Sequence, residues 1–215
     1  WAGTLASTFD EWIELYNPNP NLPISLADLC LGHGDIMELT PEEVAITPFN
    51  TGWSVFRGTS SPTPNDLTAW TRREFITDGW EQLTAPFFSG ANPGSGTELS
   101  DMAGNYSSLL MRREFDIINR DQYQTYRVKA KSDDGFIAWF NGSEWGRLHV
   151  PGGSPSLDLL ANNDGPGDFT EWSFDFESYA LFLDEGPNTV AVQGISSNIN
   201  DDDFYIDFSL VGVLP

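Results

Sequence analysis

Ser132-Asp-Asp-Gly-Phe-Ile-Ala-Trp-Phe-Asn-Gly-Ser-Glu-Trp-Gly-Arg-Leu-His149 decides how the chain is read. Asp133-Asp134-Gly135 is turn chemistry. Phe136–Phe140 is a short strand rich in aromatic residues. Asn141-Gly142 is the two-residue connection of a type I′ hairpin, which needs positive φ at both central residues. Ser143–Val150 is the returning strand.

Outward from this hairpin, strands and turns continue. Gln124–Lys131 alternates Tyr126, Val128 and Ala130 against Arg127, Lys129 and Lys131, the period of a half-buried strand. The basic row needs no function, because long cationic side chains coat a sheet face with their stems. Gly52–Arg57, Trp70–Ile76, Leu109–Ile118, Glu171–Phe176, Asn188–Ile195 and Phe204–Val213 read as further strands. Gly, Pro and Ser fill the loops at Ser89–Gly96 and Pro151–Ser156. Thr40-Pro-Glu-Glu43 predicts one short helix, with Thr40 as N-cap, Pro41 at N1 and Glu43 at N3; Pro48 stops it. Arg-Arg-Glu-Phe occurs at Arg72–Phe75 and again at Arg112–Phe115, too short a match to establish a duplicated unit. Many short, regularly punctuated strands make a sandwich or barrel.

Four of these segments, in this order, resemble a family of bacterial extracellular jelly-roll domains with a galactose-binding-like fold. They are Arg112-Arg-Glu-Phe115, the hairpin Asp133–Arg147, Gly186-Pro-Asn-Thr-Val-Ala-Val-Gln193 and the last strand, Asp203–Leu210. The resemblance runs from about residue 50 to 214 and implies fold more than function, because this fold hosts many roles. Residues 1–50 depart from it. Asp10-Glu-Trp-Ile-Glu-Leu-Tyr-Asn-Pro18 with Leu26–Leu31 resembles the middle of a lamin-tail-like immunoglobulin domain, of which only two or three strands are present. The expected architecture is an all-β jelly-roll β-sandwich at 51–215 with an N-terminal β appendage at 1–50. The appendage either packs on the jelly roll or completes a sheet in another copy, since a bare partial sheet aggregates.

Composition narrows the function. The 215 residues carry 10 Lys and Arg against 32 Asp and Glu, a net charge of −22. Nucleic acid and anionic membranes need clustered cations and are poor partners; divalent cations and neutral sugars suit better. No apolar run reaches membrane-span length. Aromatic residues at 13% and hydrophobic residues at 40% can build a core, which argues against disorder. The single cysteine, Cys30, excludes an internal disulfide and a cysteine metal cluster. The chain starts at Trp1, as a processed chain or a fragment does.

No nucleophile elbow, Walker loop or zinc-protease helix is present. His33 and His149 are the only histidines, and His149, beside Pro151 at a strand end, reads as structural. Hard-cation chemistry is the better candidate. Asn162, Asp164 and Asp168 place amide and carboxylate oxygens on a glycine-bent loop, Asp201 and Asp203 supply more from Asn198–Asp203, and Asp133 and Asp134 stand in the turn before Gly135; calcium takes such oxygens from flexible loops, although no segment has EF-hand spacing and solvated acidic turns are the alternative. Trp139 and Trp145, on the hairpin, are candidate sugar platforms; core packing is the alternative for each. These features point to a non-catalytic module, secreted or at the bacterial surface, stabilised by calcium. It would self-assemble with copies of itself or dock on neighbouring subunits; the alternative is a carbohydrate-binding module of a larger secreted protein, with polysaccharide as partner.

Overall fold

A computed structural model describes residues 41–90, 92–162, 171–176 and 178–215. The segments Asp10–Pro18 and Leu26–Leu31, Cys30, His33, Asp164 and Asp168 lie outside the described residues. The described chain forms twelve strands in order: β1 (Glu43–Thr47), β2 (Gly52–Arg57), β3 (Glu81–Thr84), β4 (Phe87–Phe88), β5 (Thr97–Glu98), β6 (Ser108–Ile117), β7 (Thr125–Ser132), β8 (Gly135–Phe140), β9 (Ser143–Leu148), β10 (Glu171–Phe176), β11 (Gly186–Ile195) and β12 (Tyr205–Val213). One sheet runs β10-β7-β12-β4-β5, with β1 also on β12; the other runs β3-β2-β6-β11-β8-β9. All pairs are antiparallel except β4 with β5. The result is the expected all-β sandwich.

The core follows from period-two alternation. Tyr126, Val128 and Ala130 of β7, Ile206, Phe208 and Leu210 of β12, and Val190 and Val192 of β11 turn inward and meet in one buried cluster. The basic residues of β7 turn outward, and acids from the flanking strands pair with them. Arg127 contacts Glu43 of β1 at 2.6 Å and Asp175 of β10 at 2.7 Å. Lys129 also reaches Glu43.

The Asn141-Gly142 turn has φ of 51° and 86°, the left-handed pair that a type I′ turn demands. Its asparagine does more than turn. Asn141 Nδ2 donates to Phe182 O and to Asn188 Oδ1, both at 2.8 Å, while Asn141 Oδ1 accepts the Thr189 amide at 2.9 Å. Asn188 in turn binds the backbone of Asp184 and Gly186.

Three expectations are corrected. The helix from Thr40 is replaced by strand from Glu43. Val44 and Ile46 alternate inward against the core, and β12 supplies a ladder from Glu43↔Val213 to Thr47↔Leu210. A helix cut short by Pro48 could not match those bonds. Residues 43–47 therefore belong to the sandwich in cis, and the compact unit begins at Pro41 rather than at 51. Trp70–Ile76 is a 3₁₀ turn, Ala69–Thr71, followed by loop. It serves as a lid on the outer face of the second sheet, where Trp70 and Trp80 pack with Leu110, Ile137, Trp139 and Ala191. Arg112 of β6, 3% exposed, fastens this lid by donating to the carbonyls of Arg72 and Arg73, each at 3.0 Å. The two Arg-Arg-Glu-Phe segments are thus structurally unlike.

Candidate metal centre and aromatic groove

Strand register brings two acidic turns to one end of the sandwich. Gly135 opens β8 opposite Ile195, where β11 ends; Ser132 closes β7 opposite Ile206, near the start of β12. The turn Asp133-Asp134 and the segment Asn198–Asp203 are therefore neighbours, although about 65 residues separate them in sequence.

Asp134 is 1% exposed, and among the described residues neither carboxylate oxygen has a donor at hydrogen-bond geometry. Burial pushes it up to about 8; the Asp201 carboxyl beside it and the charge of Asp133 add to the rise, and the nearby Ser197 amide works against it. Asp201, 7% exposed, is held below the usual carboxylate range. Burial alone would raise it, but contacts with Asp203, with Asp134 and with Ser196 outweigh burial. Ser196 Oγ donates to Asp201 Oδ2 at 2.7 Å and Ser197 Oγ donates to it at 3.2 Å. No described Lys or Arg pairs with Asp134 or Asp201. Two carboxylates in contact are both acceptors, so they must share a proton or hold a cation between them.

The donor set fits calcium. Carboxylate oxygens of Asp201, Asp202 and Asp203 lie within 4.8 Å of one another, Asp134 meets Asp201 from the other turn, and hard oxygens on turns are the ligands calcium takes. The backbone beside this cluster is closely packed. A Cβ at Gly90 (φ +90°) would fall 1.3 Å from the Asp202 carbonyl oxygen, so only glycine fits there.

Of the residues expected to hold metal, Asp134, Asp201 and Asp203 come together. Asp133 is buried beside them, 3% exposed, with its amide donating to Tyr205 O at 3.1 Å. Asn162 is tied to the same end through backbone: its amide donates to His149 O at 2.8 Å, and His149 Nδ1 lies 2.9 Å from Asp134 O. His149 (φ 51°) also stands edge-on to Trp172, ring centroids 5.4 Å apart. Ser196 and Ser197 were not foreseen. The available signal was their place directly after the Asn188–Ile195 strand, on the way to the acidic segment.

The tryptophans divide. Trp139 is 2% exposed beneath Trp70, ring centroids 5.5 Å apart, so its faces are closed to a sugar and that expectation is corrected. Strand alternation sends it to the outer side of its sheet, and the lid covers it there. Trp145 of β9 is half-buried at the open side of the sandwich. It meets Phe140, Phe174 and Phe176 edge-on and lines an open groove with Asp175, Phe176, Ser178 and Phe182.

Among the described residues no helix is long and apolar enough to cross a membrane. No family model matches the sequence, and no curated protein matches it. Solved structures share the fold at low identity. An uncultured Clostridium sp. β-glucuronidase is similar over 86% of this chain and 31% of its own, at 13% identity and a TM-score of 0.52. A Bacteroides uniformis β-glucuronidase is similar over 81% of this chain and 18% of its own, at 16% identity and a TM-score of 0.50. The chain therefore spans less than a third of the length of either.

Proposed function

We propose that this chain is a non-catalytic carbohydrate-binding module of a larger extracellular protein, braced by calcium at its two-turn carboxylate cluster. The observation that carries the reading is the Trp145 groove: a half-buried indole flanked by Phe176 and Phe182, with Asp175 and Ser178 as polar groups beside them. Aromatic floors pack on sugar C–H faces while polar neighbours take the hydroxyls. The galactose-binding-like resemblance of the hairpin supports it. So does likeness to portions of two sugar-cleaving enzymes. Calcium would be held by Asp134, Asp201 and Asp203; it would supply the counter-charge that lets three carboxylates share one end of the fold. Asp134 and Asp201 are too buried to meet a glycosidic oxygen, which favours bracing over catalysis for this pair.

The self-assembly reading drew on an incomplete N-terminal segment; residues 43–47 of that segment pair with β12 of the same chain. Affinity electrophoresis through a panel of soluble polysaccharides tests the proposal. At least one neutral glycan should retard the protein, and Trp145→Ala should abolish the retardation without unfolding the domain. Equal mobility of both proteins in every gel overturns it.

A further inference from the structure

Gly52 opens β2 two residues before Ser54, so both positions face the outer side of their sheet. The backbone there is ordinary strand, and a Cβ built on Gly52 would meet nothing within 4 Å. Any residue would fit. Glycine costs backbone entropy that another residue would save, and in a strand it often marks the close approach of a ligand. The space it leaves belongs to a cleft of about 350 Å³. β2 pairs with β6 from Ser54↔Arg112 to Arg57↔Leu109, and the cleft lies where that ladder ends.

Hydroxyl and amide groups are already arranged along it. Ser54 stands in one cross-strand row between Gln82 of β3 and Arg112 of β6. Gln82 Nε2 donates to Ser54 Oγ at 2.9 Å, and Ser54 Oγ lies 3.4 Å from Thr77 Oγ1, on the loop after the lid. Groups held in place before binding lose little freedom when a ligand arrives. The cleft has no cation to offer. Arg112 is 3% exposed; its Nη1 donates to Glu114 Oε1 at 3.0 Å, and its Nη2 donates to the two lid carbonyls. Arg113 belongs to the inward row of β6, with Met111 and Phe115. Glu114, by contrast, keeps its side chain 71% exposed. Trp53, next to Gly52, is 1% exposed in the core, so a ligand here is read through hydroxyls and not by stacking.

We propose that this cleft is a second sugar subsite, specific for uncharged rings. The inference rests on the carbohydrate-binding reading above and names the sugar class. Ser54, Thr77 and Gln82 both donate and accept, as ring hydroxyls do, and the Glu114 carboxylate accepts from them. The volume holds one or two rings. A uronate would meet Glu114 with no free cation beside it, in a protein of net charge −22, and like charges repel.

Affinity electrophoresis of the full chain tests this with a soluble β-glucan, a galactomannan and a galactan, each run beside its C6-oxidised, carboxylate-bearing form. At least one neutral polymer should retard the parent, and its oxidised form should bind at least about tenfold more weakly. Gly52→Ile fills the cleft from a position with room for a side chain. It should leave Tm unmoved, weaken binding of the neutral polymer about tenfold and narrow the difference between the two forms. Gln82→Ala, on the exposed edge strand, should weaken binding in the same direction and repeats the test without altering the backbone. Neutral-polymer binding that both variants leave intact, or an oxidised form held as tightly as the neutral one, overturns the subsite. If that intact binding is lost in Trp145→Ala, the broader reading survives; if no polymer retards the parent, both fall.

Discussion

Asn141 Nδ2 donates to Asn188 Oδ1 at 2.8 Å, and this bond ties the hairpin turn to the start of β11. Both asparagines belong to the segments that carry the family resemblance, one in Asn141-Gly142 and one in Gly186-Pro-Asn188. Their side chains satisfy backbone groups that would otherwise be buried without partners.

Replacing Asn188 by alanine should therefore cost roughly 2–4 kcal/mol, because it orphans the Asp184 amide and carbonyl as well as Asn141. In a double-mutant cycle with Asn141→Ala, urea unfolding should give a coupling of about 1 kcal/mol or more. Additive effects would mean that the two amides act independently.

Trp139 and Trp145 sit six residues apart and should behave oppositely. Trp139→Ala empties a position closed by Trp70 and should cost about 3–5 kcal/mol. Trp145→Ala removes a half-buried edge residue, so it should cost less stability while removing glycan binding. Thermal unfolding with gel retardation distinguishes the two; a Trp139→Ala protein as stable as its parent would contradict the packing described for the lid.

Asp207 supplies a pH signature. It is 1% exposed on β12. Burial pushes it up to about 6, against the pull of the Asn50 and Phe208 amides and of Lys131. An acid raised in the folded state binds its proton more tightly there than in the unfolded chain, whose value is near 3.8. Its contribution to stability is thus complete below about pH 4 and is lost as pH rises through about 6. The loss is roughly 2–3 kcal/mol. Chemical denaturation of the parent and Asp207→Asn across this range should show the parent losing stability relative to the variant as pH rises. Parallel curves would count against a buried, proton-holding Asp207.

The sandwich was legible in the sequence because side-chain period and turn chemistry are local. β2 and β10 fall where Gly52–Arg57 and Glu171–Phe176 predicted them, and β6, β7, β8, β11 and β12 lie within two residues of expectation. The lid was not legible. Trp70-Thr-Arg-Arg-Glu-Phe-Ile76 carries strand-forming residues, and only the apolar outer face of Leu110, Ile137 and Trp139, which must be kept from water, turns it into a cover. The metal candidates were visible as separate acidic turns. Their convergence depends on the registers of β8 with β11 and of β7 with β12, long-range facts that no local pattern encodes. Trp139 failed as a platform for the same reason: alternation gave its side of the sheet, but not what lay on top.

The cation claim rests on Asp134 meeting Asp201 with no described Lys or Arg beside either. Scanning calorimetry of chelator-stripped protein at neutral pH, with and without calcium, tests it most directly. Saturation at a hundredfold over the dissociation constant adds about 2.7 kcal/mol, which should raise Tm by roughly 5–10 °C. Asp134→Asn should match the calcium-free parent and show no rise. A parent Tm that calcium leaves unmoved, or a rise that survives Asp134→Asn, would contradict a cation between the two turns.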